Sequence, residues 1–177
     1  KRCLRVIFHI LAEKKMSLLE TQYFISPENS EPREYITNNI QDHIIRQQWD
    51  YFKNMNDRQF YETFGSTINR MMEFLHSPII RNIVGQTEQT IDFRKIMDEG
   101  YILLVNLASK NNISDDNARL LGTLIVNDLF INARCRPKGS RPFYLYIDEC
   151  AMFINDDISR ILDEGRKFGL HLTLAHQ

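Results

Sequence analysis

Between Tyr101 and Leu174 short apolar runs alternate with stretches of helical period, an order that few folds accommodate. Tyr101-Ile-Leu-Leu-Val-Asn-Leu107 follows Gly100 as a continuous apolar run. It is too short for a typical helix and predicts a strand buried on both faces. Ser114–Arg136 carries Ala118, Leu121, Leu124, Ile125 and Leu129 as a helical stripe. Phe143-Tyr-Leu-Tyr-Ile147 predicts a second strand, Asp156–Phe168 a helix stopped by Gly169, and Leu170–Ala175 a third strand. Strand–helix–strand–helix–strand implies a parallel sheet with right-handed crossovers.

The first half of the chain reads differently. Residues 1–84 hold one glycine, Gly65, of the seven in the sequence, and no strand pattern. Leu4, Ile7, Phe8 and Leu11 repeat at helical steps. Ser17-Leu-Leu-Glu20 has capping-box spacing, and Ser26–Pro32 has the turn chemistry of a loop. One stripe runs through Ile36, Ile40, Ile44, Trp49 and Phe52 and breaks near Asn54–Asp57; another runs through Phe60, Phe64, Ile68, Met71, Met72 and Leu75. Pro78 suits the first turn of a helix after Ser77, and Gly85 suits its stop. The expectation is an all-helical lobe of four or five helices over residues 1–85, followed by an α/β half over 86–177.

Composition bounds the function. A chain of 177 residues, 43% hydrophobic, buries a core without disulfides. A net charge of −1 excludes a protein that coats nucleic acid by bulk electrostatics, so any such contact is local. The three cysteines, Cys3, Cys135 and Cys150, form no metal-ligand spacing with each other or with histidine and read as buried thiols. No apolar run approaches the roughly 18 residues of a membrane span. The chain starts with Lys and reads as a piece of a longer protein.

The strongest chemical signal is Asp148-Glu149, directly after the second predicted strand. In open parallel sheets ligands bind beyond the carboxyl ends of the strands, and two acids there project into that crevice. An Asp so placed holds Mg²⁺ against terminal phosphates in phosphoryl-transfer enzymes, and a neighbouring Glu can orient or deprotonate an attacking water. Taken alone, acids after a strand are as often a solvated terminus. Gln177, at the tip of the third predicted strand, can hydrogen-bond a γ-phosphate or its attacking water and so report nucleotide state, but taken alone a strand-tip Gln is usually an ordinary surface amide. Arg166-Lys167 taken alone is favourable charge at a helix end.

In this order and spacing, the Asp-Glu strand, the helix ending Gly165-Arg-Lys-Phe-Gly-Leu170 and the strand ending Ala175-His-Gln177 resemble the FtsK/HerA-type DNA-pumping ATPases. Within them the chain looks most like the type IV secretion coupling proteins, their TraD/TraG-like relatives and the VirB4-like conjugation ATPases. Ile83–Phe93, Ile96–Leu107 and Arg119–Ile125 agree with the same pattern. The resemblance covers about residues 79–177. Over 1–78 it rests on the family's habit of inserting an all-helical domain between the phosphate-binding loop and the later strands.

The resemblance implies a partial RecA-like P-loop NTPase core preceded by an all-helical inserted lobe. It makes Asp148 the Mg²⁺-associated Walker B acid, Glu149 the catalytic carboxylate and Gln177 a sensor that also touches nucleotide. Arg166 takes the position of an arginine finger reaching the nucleotide of the next subunit, which requires a homo-oligomer, a hexamer in this family. The cofactors implied are ATP and Mg²⁺. The partners are DNA or a relaxase–DNA complex and secretion-channel proteins, with the protein in the cytoplasm or at the cytoplasmic face of the inner membrane. A HerA-type chromosome-processing translocase and a non-catalytic partner-binding module are the rival expectations.

One departure limits the resemblance. The sequence contains no GxxxxGK[ST] and no Gly-Lys pair, so the Walker A half of such a motor is expected before Lys1, and further strands after Gln177. Arg134, Arg136, Lys138 and Arg141 read as a basic loop, solvated or on DNA phosphates, at the sheet edge opposite the crevice. Trp49, Tyr51, Phe52, Met71 and Met72 read as core.

Overall fold

A computed structural model describes residues 2–25, 30–88, 91–108, 113–153 and 156–176. The protein is a mostly helical α/β chain in two compact units, Lys1–Glu88 and Gln89–Gln177.

The regular elements described in the first unit are helices: α1 (Arg2–Glu13), α2 (Gln22–Ile25), α3 (Ser30–Thr37), α4 (His43–Lys53), α5 (Asp57–His76) and α6 (Pro78–Val84). Its core takes Val6, Ile7, Ile10 and Leu11 from α1 and adds Phe24, Ile36, Trp49, Phe52, Phe60 and Phe64. Aromatic rings knit the helices: Phe24 meets Trp49 edge-on at 5.1 Å, and Phe52 meets Phe64 at 5.3 Å.

Polar side chains set the boundaries. Ser17 Oγ accepts from the Leu19 N–H and donates to Glu20 at 2.6 Å, but the turn it caps is a 3-10 turn (Leu18–Thr21) that runs into α2. Asn56 and Gln59 form a full capping box at the start of α5. Pro78 opens α6 and Gly85 closes it.

Three expectations change here. The stripe from Ile36 to Phe52 is two helices, α3 and α4, with Asp42 capping the second. Residues 26–29 of the expected loop lie outside the described residues, and α3 already starts at Ser30 with Pro32 in its first turn, where a missing N–H costs little. Tyr51 and Met72 are exposed, whereas Trp49, Phe52 and Met71 are core.

The second unit contains α7 (Phe93–Glu99), α8 (Asp115–Arg134), β1 (Phe143–Ile147), α9 (Asp156–Glu164) and β2 (Leu170–Leu174). The strands pair in parallel, with Phe143 opposite Leu170 and Ile147 opposite Leu174. Phe143, Leu145, Ile147, Leu170, Leu172 and Leu174 meet α8 and α9 through Val126, Leu129, Phe130, Ile158 and Ile161. On the other face Tyr144 stacks on His171 at 5.1 Å. Gly100 and Gly169 end their helical segments in the left-handed region, at φ 76° and 71°.

The strand expected at Tyr101–Leu107 is not formed: among the described residues the sheet has two strands. Nor is the run buried, since Ile102 and Leu104 are 89% and 90% exposed. Its composition suits a strand, but a strand needs a backbone partner about 4.8 Å away, and this segment has none.

The basic loop is also redrawn. Arg136 is buried, with Nε donating to Asp98 Oδ1 at 2.7 Å and Nη2 to Arg141 O at 2.6 Å. Arg141 donates to Glu99 O, and Arg134 lies over the Phe130 ring. Arg136 and Arg141, two of the four residues read as a basic loop, solvated or on phosphates, are therefore structural. Cys3 and Cys150 are buried and Cys135 is exposed, all three unbonded; burial pushes the Cys3 thiol upward. No described helix is long and apolar enough to cross a membrane.

Candidate functional site: an acidic turn at the carboxyl end of a parallel strand

The paired strands end together. Ala175 N–H donates to Ile147 O at 2.9 Å, and Cys150 N–H donates to Ala175 O at 3.0 Å. These two bonds clamp the chain on both sides of Asp148-Glu149, so the acidic pair sits in a fixed turn rather than a frayed end. Asp148 Oδ1 accepts the Glu149 N–H at 2.9 Å. Glu149 itself is left-handed, at φ 50° and ψ 44°. For a residue with a Cβ that conformation is uncommon and costs about 1 kcal/mol. The chain then enters a 3-10 turn (Cys150–Met152) anchored by buried Cys150. Both carboxylates are exposed.

Beside the turn opens a cleft of about 1330 Å³. The segment 100–108 and β1 line it, α8 contributes Gly122, Ile125, Val126 and Leu129, and Asp148, Glu149 and Phe153 stand at one end. Gly122 makes room there: a Cβ on it would press on the Phe153 ring, which would have to move. Asp115, in the first turn of α8, lines the same cleft. Nothing in the spacing of the sequence connects residue 115 with 148, so only the fold reveals that neighbour.

Asp148 and Glu149 are thus brought together at a strand end over a cleft. Arg166 is not with them. It lies exposed in the 3-10 turn (Gly165–Phe168) that precedes β2, at the amino end of the sheet. Five strand residues separate the two ends, roughly 16 Å at strand rise. Gln177 lies outside the described residues; the chain reaches the Asp148 end of the sheet at Ala175 and exposed His176.

Among the described residues no three His, Cys, Asp or Glu side chains gather as a metal cage. Asp148 is nevertheless a hard oxygen donor of the type Mg²⁺ accepts, because that ion keeps several waters and takes one or two carboxylates together with phosphate oxygens. The donor set fits a cation that arrives with a phosphate ligand and does not fit one held by protein alone. No family model, curated protein or solved structure matches the chain.

Proposed function

We propose that the chain is the Walker B half of a RecA-like ATPase core with an inserted helical lobe, part of an oligomeric motor that moves DNA or a protein–DNA complex in conjugation or type IV secretion. The observation that carries the reading is the clamped, left-handed Asp148-Glu149 turn at the carboxyl end of a parallel strand. A strained turn held by its surroundings is a mark of a site, and this one presents two carboxylates where parallel sheets bind ligands.

In this reading Asp148 would hold the Mg²⁺ that accompanies ATP, and Glu149 would orient the attacking water and accept its proton. Bound ATP·Mg²⁺ supplies the electrophilic phosphorus and the neutralising charge. Gln177 follows His176 beyond the end of β2 and would contact the same phosphates or water. Arg166, at the far end of the sheet from Glu149, serves a neighbouring subunit instead of its own. The sequence has no GxxxxGK[ST], so the phosphate cradle is assigned to another part of the same polypeptide.

Calorimetric titration with a non-hydrolysable ATP analogue tests the reading. Micromolar, Mg²⁺-dependent binding is expected for the whole protein, with Asp148→Asn weakening the Mg²⁺ dependence, and no binding at that level for residues 1–177 alone. Micromolar binding by the 177 residues alone would place the cradle within them. No binding by the whole protein would overturn the ATPase reading and favour a partner-binding module.

A further inference from the structure

We infer that a pocket in the first unit, beside the indole of Trp49, binds a single carboxylate, that of a small organic acid or of a glutamate side chain on a partner. The pocket has a volume of about 100 Å³. It lies between α3, the last turns of α4 and the first turn of α5. Trp49, Phe52 and Phe60 give it apolar walls, and Arg33, Lys53 and Asp57 give it charged ones. The inference is independent of the roles proposed for Asp148 and Glu149.

Trp49 points to a ligand. Phe24 at 5.1 Å and Phe52 at 6.5 Å hold its ring edge-on from two directions. The residue is 3% exposed, and its Nε1–H is buried without an acceptor among the described residues. An indole nitrogen can only donate, and buried donors are almost always paired. A residue that lines the pocket thus brings a donor that calls for an oxygen acceptor. The volume would hold about three waters, or a carboxylate on a short stem.

The charges favour an anion over water. Arg33 is half-buried, and burial draws its guanidinium below the ordinary value by more than the neighbouring Glu34 raises it. Lys53 Nζ also lies 3.3 Å from Glu34 Oε1, so one carboxylate serves two cations. A second carboxylate in the pocket balances them, and the planar guanidinium fork matches a carboxylate through two parallel N–H bonds. Asp57, exposed in the first turn of α5, is the acid on the lining. Its charge opposes a dianion such as phosphate more than a carboxylate, and the aromatic walls suit the carbon stem that phosphate lacks.

The indole N–H resonance of Trp49, the single tryptophan of the sequence, reads the pocket directly in a proton–nitrogen correlation spectrum. Acetate and the α-amide of N-acetylglutamate are titrated into the chain at constant ionic strength, with inorganic phosphate as the contrasting anion. Both carboxylates are expected to shift the resonance saturably with millimolar midpoints. A midpoint for acetate equal to or below that of the amide assigns the site to a small acid; a lower one for the amide assigns it to a partner's side chain. Arg33→Gln should raise the midpoint about tenfold, and Asp57→Asn, at an exposed position, should lower it about twofold or more. A resonance that neither carboxylate moves would overturn the proposal, as would phosphate acting at lower concentration than both. So would an unchanged midpoint in Arg33→Gln; where that variant does not fold, a midpoint that fails to fall in Asp57→Asn decides against the pocket in the same way.

Discussion

Arg136 and Asp98 meet at 2.7 Å, with the arginine side chain fully buried and the aspartate 40% exposed. The contact fastens α7 to the loop entering β1, since the same guanidinium donates to Arg141 O. Asp98→Ala leaves the buried cation without its carboxylate, with Arg141 O still accepting from it, and is expected to cost about 1–3 kcal/mol, less than a fully buried pair because Asp98 keeps some water. Arg136→Lys does not restore stability, because an ammonium lacks the fork that serves both acceptors. Urea denaturation checks both; variants within about 0.5 kcal/mol of wild type would make the contact incidental.

In the proposed reading, Glu149 sets stability against function at one position. Glu149→Gly releases the left-handed strain and should raise stability by up to about 1 kcal/mol, while removing the carboxylate. Thermal and urea midpoints that fall on this substitution would show that the side chain stabilises the turn by contacts of its own.

Asp42 caps α4, accepting from the N–H groups of Ile44 and Ile45 at 2.8 and 3.1 Å. The bond from Ile45 N–H, more than any other influence, holds its carboxyl below the usual range. A depressed carboxyl stabilises the fold above its unfolded value, about 3.9, and loses that contribution as pH falls through the folded value. Asp42→Ala should therefore be less stable than wild type at neutral pH, with the gap closing in acid. A gap that stays constant from pH 7 to about pH 2, below the unfolded carboxyl value, would assign the effect to helix propensity alone.

The separation of Arg166 from Glu149 along the sheet leads to a complementation test in the whole protein. In the proposed motor Arg166→Ala and Glu149→Gln are each expected to lose most turnover alone, the first because arginine fingers contribute about 10³–10⁵ in rate and the second because a general base contributes about 10²–10⁴. Mixed rings contain interfaces with both residues intact and should regain part of the activity. No recovery in rings shown to be mixed would place Arg166 in cis or make it structural.

What the sequence revealed follows the range of each signal. Local signals were legible: the stops at Gly85 and Gly169, the strands at 143–147 and 170–174, and the acids that follow the first of them. The strand expected at 101–107 was not, because its apolar run records what the segment could pair with and not whether a partner edge is occupied. The basic loop misled for a related reason. Its charges gave no sign that Arg136 turns inward to Asp98, 38 residues earlier. Asp115 escaped notice because it reaches the cleft only through the packing of α8.

The role of the acidic turn rests most directly on the ATP turnover of Glu149→Gln in the whole protein, measured beside its nucleotide binding. The amide keeps the shape of the side chain but cannot take the proton of the attacking water. Turnover should fall by about 10²–10⁴ with binding retained; turnover at the wild-type rate would contradict the catalytic assignment and leave Asp148-Glu149 as a strand cap.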